Sequence, residues 1–548
     1  MITMRIGIQE DSITVADDAQ NNASHNASKE PPAMSTNEEN RYDFVVVGSG
    51  IAGLVFAALM AKRGNSVLVL EAHEYPGGYG HTFQLGNSAK FNAQLHYVWN
   101  CGEGETVHKV LSRLGLEQEV TFERLDPDGF DHMHMPGYSL KIPASSAELV
   151  RRLVRLFPQS QPAIEKFIAT VGKVAVGLDV LSSRPSVPRV IRDGLDTVLA
   201  ISFLRSSLQD VFDKYQLPKA AQTLLASQWP DFLLPPQELS FYAWVMLFTG
   251  YQRGAYYPTH HFEHVIDSLT ATILDQGGEV RFRQEVTRFQ REARRIRGVV
   301  ARDLESGQCR QFEAGAVICN MDPQRAAKMI GLQHFRHTVR KRLAYDYSPS
   351  NFMIYCTVEG IDLADYGFGK WNVFHTGHED LNEAFTDMYS NHDYSNPSFA
   401  ITTPGFMTTD TSDRPAGQSI VEILTVADHS YFQTLLNTDK QAYRKKKREV
   451  INALLDAVEK HYIPNFRKHL AFSTGGTPTT NERFCFAPGG NSYGSNMTPE
   501  NIGINRLGPK SSLDGLYFCN ASSGFAGFAG TFWTGASLYQ KLSGERIL

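Results

Sequence analysis

The sequence predicts an α/β protein built on a Rossmann-type nucleotide-binding unit. Three observations point there: a β-branched run ending in Gly-x-Gly-x-x-Gly and leading into a helix-forming stretch, a second short strand closed by an acidic residue, and a further strand–glycine–helix unit at the far end of the chain. The 548 residues give a prior of three to four units at ~150 residues each. Hydrophobic residues at 42%, charged residues at 20% and 44 glycines against 25 prolines are ordinary globular usage, which excludes collagen-like, coiled-coil and wholly disordered chains. A formal charge of −5 argues against a dedicated nucleic-acid binder, since neutralising phosphates needs excess Lys and Arg. No run approaches the ~18 apolar residues of a membrane span; the longest clear one is Leu54 to Ala61. Cys101, Cys309, Cys319, Cys356, Cys485 and Cys519 form no CxxC pair, so no zinc ribbon or thioredoxin motif is legible.

Residues 1–40 are rich in Asn, Ala, Ser, Asp and Glu and read as a disordered leader. With no apolar signal segment, the expectation is a cytoplasmic, reducing compartment, and the sequons at Asn22 and Asn26 read as chance matches. Phe44 to Val47 reads as a buried parallel strand, Gly48-Ser49-Gly50-Ile51-Ala52-Gly53 as the turn, and Leu54 to Ala61 as the helix, with Gly64 just past its end. Ser66 to Leu70 is the second strand, closed by Glu71. Gly48 permits the tight turn, Gly50 lets the backbone approach a pyrophosphate, and Gly53 lets helix pack on strand. The pyrophosphate sits at the helix N-terminus, where free N–H groups and the dipole favour negative charge. Glu71 accepts from a ribose diol. Strand, glycines, helix, second strand and acid agree in order and spacing, which a lone glycine motif would not offer.

Glu71-Ala72-His73-Glu74-Tyr75-Pro76-Gly77-Gly78 then places a Gly-Gly pair just after the ribose acid. Over nearly its whole length after residue 41 the chain resembles the amine oxidase and phytoene desaturase superfamily of FAD enzymes. Gly77-Gly78-Tyr79-Gly80-His81-Thr82-Phe83 and Phe91-Asn92-Ala93-Gln94-Leu95-His96-Tyr97 look most like its retinol saturase and carotenoid isomerase branch. Three later blocks carry the same resemblance: Gly254 to Val286, Ala316 to Pro323 with its Asn-x-Asp-Pro ending, and Leu513 to Leu542. Tyr79 departs from the Arg common among amine oxidases, Asn92 and Gln94 stand where Asp and Gly are usual, and Asn520-Ala521 where Gly-Asp or Gly-Glu is usual.

The resemblance implies FAD, with Gly77, Gly78, Tyr79, His81 and Thr82 in the loop beneath it and the Val286 backbone at the adenine. Ala521 and a helix start at Gly530-Thr531-Phe532 belong to the second glycine unit, whose N–H groups suit the anionic end of a reduced flavin. It also implies a discontinuous FAD domain, from 41–110, 251–335 and 480–548, with an inserted α+β substrate domain. Of that, 111–250 is expected to be mainly helical (Ala147 to Leu156, Ala163 to Val180, Val187 to Tyr215). The other part, 336–479, carries strands near Asn351 to Val358 and Ser419 to Val426 and a helix from Lys440 to His461.

His96 and Tyr97, on the strand nearest the expected flavin face, are candidate proton donors or acceptors, and His260 is a candidate substrate-facing residue. His260-His261-Phe262-Glu263-His264 also fits HxxEH, but it falls on a turn that opens a helix in the resembled fold, and no metal is expected. The basic runs Arg151 to Leu156 and Arg444 to Arg448 are read either as solvated helix faces or as surfaces resting peripherally on anionic lipid. The expected activity is desaturation, saturation or isomerisation of C–C bonds in an apolar polyene such as a carotenoid or retinoid. With a single dinucleotide fingerprint, no separate NAD(P)H site is expected, and the electron donor or acceptor is left open. Two alternatives remain on the same fold: an oxidase or desaturase of an amine or natural-product intermediate, and a flavin- or lipid-binding protein without catalysis.

Overall fold

The computed structural model describes residues 40–548 apart from 86–88 and 183–185; the expected leader and both sequons lie outside the described residues. Two seven-stranded sheets organise residues 41–548. The first runs Glu279–Arg281, Val67–Leu70, Arg41–Val47, Cys309–Cys319, Arg295–Asp303, Gln284–Glu292, with Leu516–Phe518 also paired to Cys309–Cys319. Its first four strands and Leu516–Phe518 are parallel, while the meander from Gln284 to Cys319 is antiparallel. Val45, Val46 and Val67 to Leu70 are buried, as the continuous apolar runs require of parallel strands covered on both faces. This is the α/β, Rossmann-type fold class that the sequence predicts.

The first helix spans Ile51–Lys62, three residues more at its start than the apolar run suggests, because Gly50 itself is the N-cap. Every side chain from Ile51 to Ala61 is buried, so the helix has no polar face and needs cover all round. The C-terminal helix Gly527–Ser543 supplies it at one point of very close approach: a Cβ on Gly535 would lie 2.5 Å from the Ala52 carbonyl oxygen. Gly535→Val is therefore expected to destabilise the protein by about 2–4 kcal/mol, read as a lowered Tm, since backbone rather than a movable side chain blocks the added methyls. This helix begins at Gly527 rather than Thr531. Gly527 sits at φ 75°, a left-handed entry that glycine tolerates, so the helix starts a turn earlier than its β-branched and aromatic residues suggest.

The second sheet runs Leu470–Gly476, Ser350–Glu359, Gln418–Ala427, Phe399–Thr402, Asn372–His375, Asp131–Met135, Tyr138–Ile142. Its last two strands come from the stretch expected to be mainly helical. Asp131–Met135 reads DHMHM, with no β-branched residue, and its parallel partner Asn372–His375 is remote in sequence, so no local pattern announces it. The helices of that stretch include Ser146–Leu156 and Gln161–Ser182. The run expected as one helix from Val187 is three: Val187–Arg192, Gly194–Ser202 and Leu208–Tyr215. The last is set apart by a capping box in which Ser207 and Asp210 bond each other's backbone N–H. The helix Lys440–His461 is found as expected, capped by Asp439.

Candidate functional site

A groove crosses the C-terminal ends of the parallel strands of the first sheet, where open α/β sheets place their ligands. Its walls include Gly48, Gly50, Glu71, Ala72, Gly78, Tyr79, His81, Val286 and Ala521, which the sequence singles out. The helix N-terminus at Gly50 has no side-chain cap and no acid in its first turn, so its N–H groups remain available to an anion. Gly48 has φ 96°, which an L side chain resists, and a Cβ on Gly50 would lie 2.7 Å from Asn320 Oδ1. A Cβ on Gly53 would lie 2.9 Å from the Gly48 carbonyl oxygen. Glycine is thus required on both sides of the turn. Gly77 pairs with Gly50 as an isolated bridge, its N–H donating to the Ser49 carbonyl at 3.0 Å.

The Glu71 carboxylate accepts from the Ser49 N–H (2.7 Å), Ser49 Oγ (2.6 Å) and the His73 N–H (2.8 Å). Those three bonds leave one of about four lone-pair sites for a ribose hydroxyl. Val286 lies on Gln284–Glu292, an edge strand, which offers unpaired backbone groups at that end of the groove. A cradle that admits only glycine beside a free helix N-terminus, with an acid at the next strand tip, fits a dinucleotide.

At the other end, Tyr79 Oη donates to the Asn491 carbonyl (2.6 Å), and burial lifts its pKa well above the phenol range, so it is a neutral clip. His81 Nδ1 lies 2.5 Å from the Gly78 carbonyl, closing the glycine loop on itself; desolvation lowers its pKa despite that bond. The Asn520 departure has a structural reason: its Nδ2 donates to the Met321 carbonyl (2.7 Å) while its Oδ1 accepts the Ser523 N–H (3.0 Å), joining two crossing loops. Ile51, Ala52 and Gly53 form the first helical turn. Gly530, Thr531 and Phe532 lie within the C-terminal helix rather than at its start and do not line the groove; Thr531 Oγ1 is turned back onto the Gly527 and Phe528 carbonyls and Phe532 is fully buried.

His96 and Tyr97 reach in different directions. His96 Nδ1 is 3.0 Å from Oε2 of Glu422, whose side chain is completely buried. Glu422 Oε1 accepts the Asn92 N–H at 3.3 Å, and His96 Nε2 is buried with no protein partner. An acid on Nδ1 and a vacant Nε2 is the arrangement that orients an imidazole for proton transfer. The sequence does signal Glu422, as a lone acid in the apolar run Ile420-Val421-Glu422-Ile423-Leu424. Asn92 donates to Tyr257 Oη (2.8 Å), and Gln94 bonds Asn351 and Asn481, so both departures are absorbed into amide networks.

Tyr97 Oη lies 2.9 Å from Asp231 Oδ2 and 3.1 Å from Asp131 Oδ2. One phenol proton cannot serve two carboxylates, so a second proton resides on the pair. Burial raises Asp131 to about 7, and Asp231 well above the carboxylate range, with the Asp131 charge adding to it. The folded state therefore binds a proton that the unfolded Asp131 releases near pH 4, and stability falls as pH rises from there through about 7. Asp131→Asn is expected to remove the Asp131 part of that slope, leaving the Asp231 part, and to be the more stable form at pH 8 by roughly 2–4 kcal/mol, read from Tm against pH. Asn372 Oδ1 and Gln228 Oε1, both buried without partners, are poised to accept from the new amide after a flip.

His260 is placed elsewhere. It precedes the helix His261–Asp275, is 52% exposed and faces Asp410 (3.4 Å). With Thr82, His261, His264, Asp413 and Glu422 it lines a second, polar cavity of ≈ 560 Å³. His260 and His264 stand one turn apart, rings 5.4 Å between centroids, but His264 Nε2 is turned to the Glu119 carbonyl (3.2 Å). Among the described residues no group of three or more His, Cys, Asp or Glu could hold a metal ion.

Residues 46–114 match the family of NAD(P)-binding Rossmann-like domains. The chain is 25% identical over 527 residues to the all-trans-retinol 13,14-reductase of Danio rerio, covering 90% of this chain and 84% of that protein. It is 25% identical over 520 residues to the chloroplastic prolycopene isomerase of Daucus carota, covering 89% and 77%. Among solved structures, a putrescine oxidase redesigned in its cofactor binding superposes with TM-score 0.61 at 12% identity, over 92% of this chain and 99% of that one, a likeness of fold. The chain is thus similar over most of its length to all-trans-retinol 13,14-reductases and prolycopene isomerases, the proteins that its Gly-Gly-x-x-His-Thr-Phe loop resembles.

Proposed function

We propose that the protein is an FAD-dependent oxidoreductase that saturates, desaturates or isomerises a C–C bond of an apolar retinoid- or carotenoid-like polyene. The observation that carries this reading is the groove from edge strand Gln284–Glu292, past the free helix N-terminus at Gly50, to Ala521. Homology to a retinol reductase and a carotenoid isomerase over most of the chain supports the substrate class.

In this reading the Val286 backbone meets the adenine, Glu71 holds the ribose, and the N–H groups of the first turn, Ile51 to Gly53, hold the pyrophosphate. Gly77 and Gly78 let the backbone pass beneath the cofactor, Tyr79 and His81 fix that loop, and Ala521 closes the far end. Bound FAD supplies hydride chemistry at its N5 atom. His96 holds or releases the proton at Nε2 while Glu422 fixes Nδ1, and Tyr97, bonded to its two acids, anchors the next position of the chain. His260, outside the groove, is assigned to the rim of the polar cavity.

The test is an absorption spectrum of purified protein, before and after FAD reconstitution, followed by anaerobic incubation with retinoids and carotenoids and chromatography of the products. Flavin bands and a changed polyene are expected. Absence of flavin after reconstitution overturns the cofactor assignment, and bound flavin with every polyene unchanged overturns the substrate class.

A further inference from the structure

The two short helices Val187–Arg192 and Gly194–Ser202 carry an apolar stripe facing away from the protein. Val187 and Ile191 on the first, and Leu195, Val198 and Ile201 on the second, recur at spacings of three and four, and their exposures run from 52% to 86%. The opposite side is firmly seated. Ala200 is buried and its carbonyl accepts from Tyr242 Oη, and the backbone at Asp196 comes so close to helix Gln161–Ser182 that a Cβ on Gly177 would lie 2.3 Å from its carbonyl oxygen. The stripe is thus a held surface. At its C-terminal end Leu204 abuts Gly503, and the neighbouring Ile504 is 75% exposed, extending the apolar face.

We infer that this face docks flat on a phospholipid leaflet by apolar insertion. The inference rests on the reading that the substrate is a polyene dissolved in lipid. From Val187 to Ile201 there are 14 steps, so at ~1.5 Å each the stripe is at most ~21 Å long, and it is one side chain wide. Its few hundred Å² fall short of the ~800 Å² per partner that a stable pair of copies buries, whereas an interfacial helix needs only to sink ~5–10 Å. Charge does not direct it: Arg189 and Arg192 are both paired with Asp193. Within the basic runs, Arg151 and Arg152 are paired with Glu148, and Lys445 and Lys446 with Glu449. Ile504 stands two residues from Arg506, whose Nη2 donates to the Ala521 carbonyl at 2.6 Å on the groove wall, so the lipid face and the cofactor groove share one loop.

Purified protein is floated with neutral phosphatidylcholine vesicles at low and high salt, without substrate, so that neither turnover nor flavin content enters the readout. Co-flotation that survives high salt is expected, falling at least about tenfold in Ile191→Asp/Leu195→Asp and in the milder Leu195→Ser/Val198→Ser pair. Circular dichroism checks that each variant folds. Neutralising Lys445 and Arg448 is expected to leave binding unchanged. Wild-type protein that fails to float with neutral vesicles, or variants that float as well as wild type, overturns the inference. So does a wild-type dimer that the stripe variants convert to monomer without any vesicle binding. A protein that floats but never changes a polyene leaves the docking face standing and removes the substrate reading instead.

Discussion

Gly50→Val is expected to yield a folded protein that has lost FAD affinity by at least a hundredfold. The Cβ would stand 2.7 Å from Asn320 Oδ1, and Asn320 is not free to swing away because its Nδ2 donates to the Cys519 carbonyl at 2.5 Å. Its two methyls also occupy the space through which a pyrophosphate reaches the N–H groups of the first turn. Losing two charge-assisted hydrogen bonds at ~1.5–3 kcal/mol each accounts for roughly a hundredfold or more. Gly50→Ala, with the same Cβ and no further methyl, is expected to weaken FAD by about tenfold. Titration of apoprotein with FAD, followed by flavin fluorescence, reads both. Stoichiometric flavin in Gly50→Val would show that the pyrophosphate lies elsewhere in the groove. Gly50 is the N-cap of the helix rather than part of it, so far-ultraviolet circular dichroism is expected to match wild type.

That turn was legible in the sequence because its constraints are local: left-handed φ at Gly48, close approach at Gly50 and Gly53, and an acid at the end of the next strand. The helices Gln161–Ser182 and Lys440–His461 were legible too, from periodicity and end residues. What escaped is non-local. The strand Asp131–Met135 is specified by its partner Asn372–His375, and its three polar residues conceal it. Glu422 gains its role only when Gln418–Ala427 comes to lie beside His96, and Asp131 and Asp231 only when Tyr97 lies between them. The Asn520 departure is a clamp between loops that sequence spacing does not reveal. The split of the run from Val187 into three helices likewise follows from tertiary seating against Gly177 and the Ser207 capping box.

Removing the imidazole in His96→Ala is expected to lower kcat by about 10²–10⁴-fold, the usual worth of a positioned acid–base group, with flavin content and spectrum unchanged. Glu422→Gln should lose less, about tenfold, because the glutamine oxygen still accepts from Nδ1–H while the charge that supports an imidazolium is gone. The two differ in what restores them. Added imidazole is expected to recover part of the His96→Ala loss, because the deleted ring leaves room beside a carboxylate already in place. It should do nothing for Glu422→Gln, whose ring remains. The solvent isotope effect separates proton transfer from packing: it is expected to fall in His96→Ala, whereas loss of a merely structural histidine would lower the rate without changing it. Tyr97→Phe is expected to cost less than tenfold, since the phenol is engaged by Asp131 and Asp231. Equal losses in His96→Ala and Tyr97→Phe would move the proton-handling role to the Asp131–Tyr97–Asp231 cluster, where a proton is held between two buried acids.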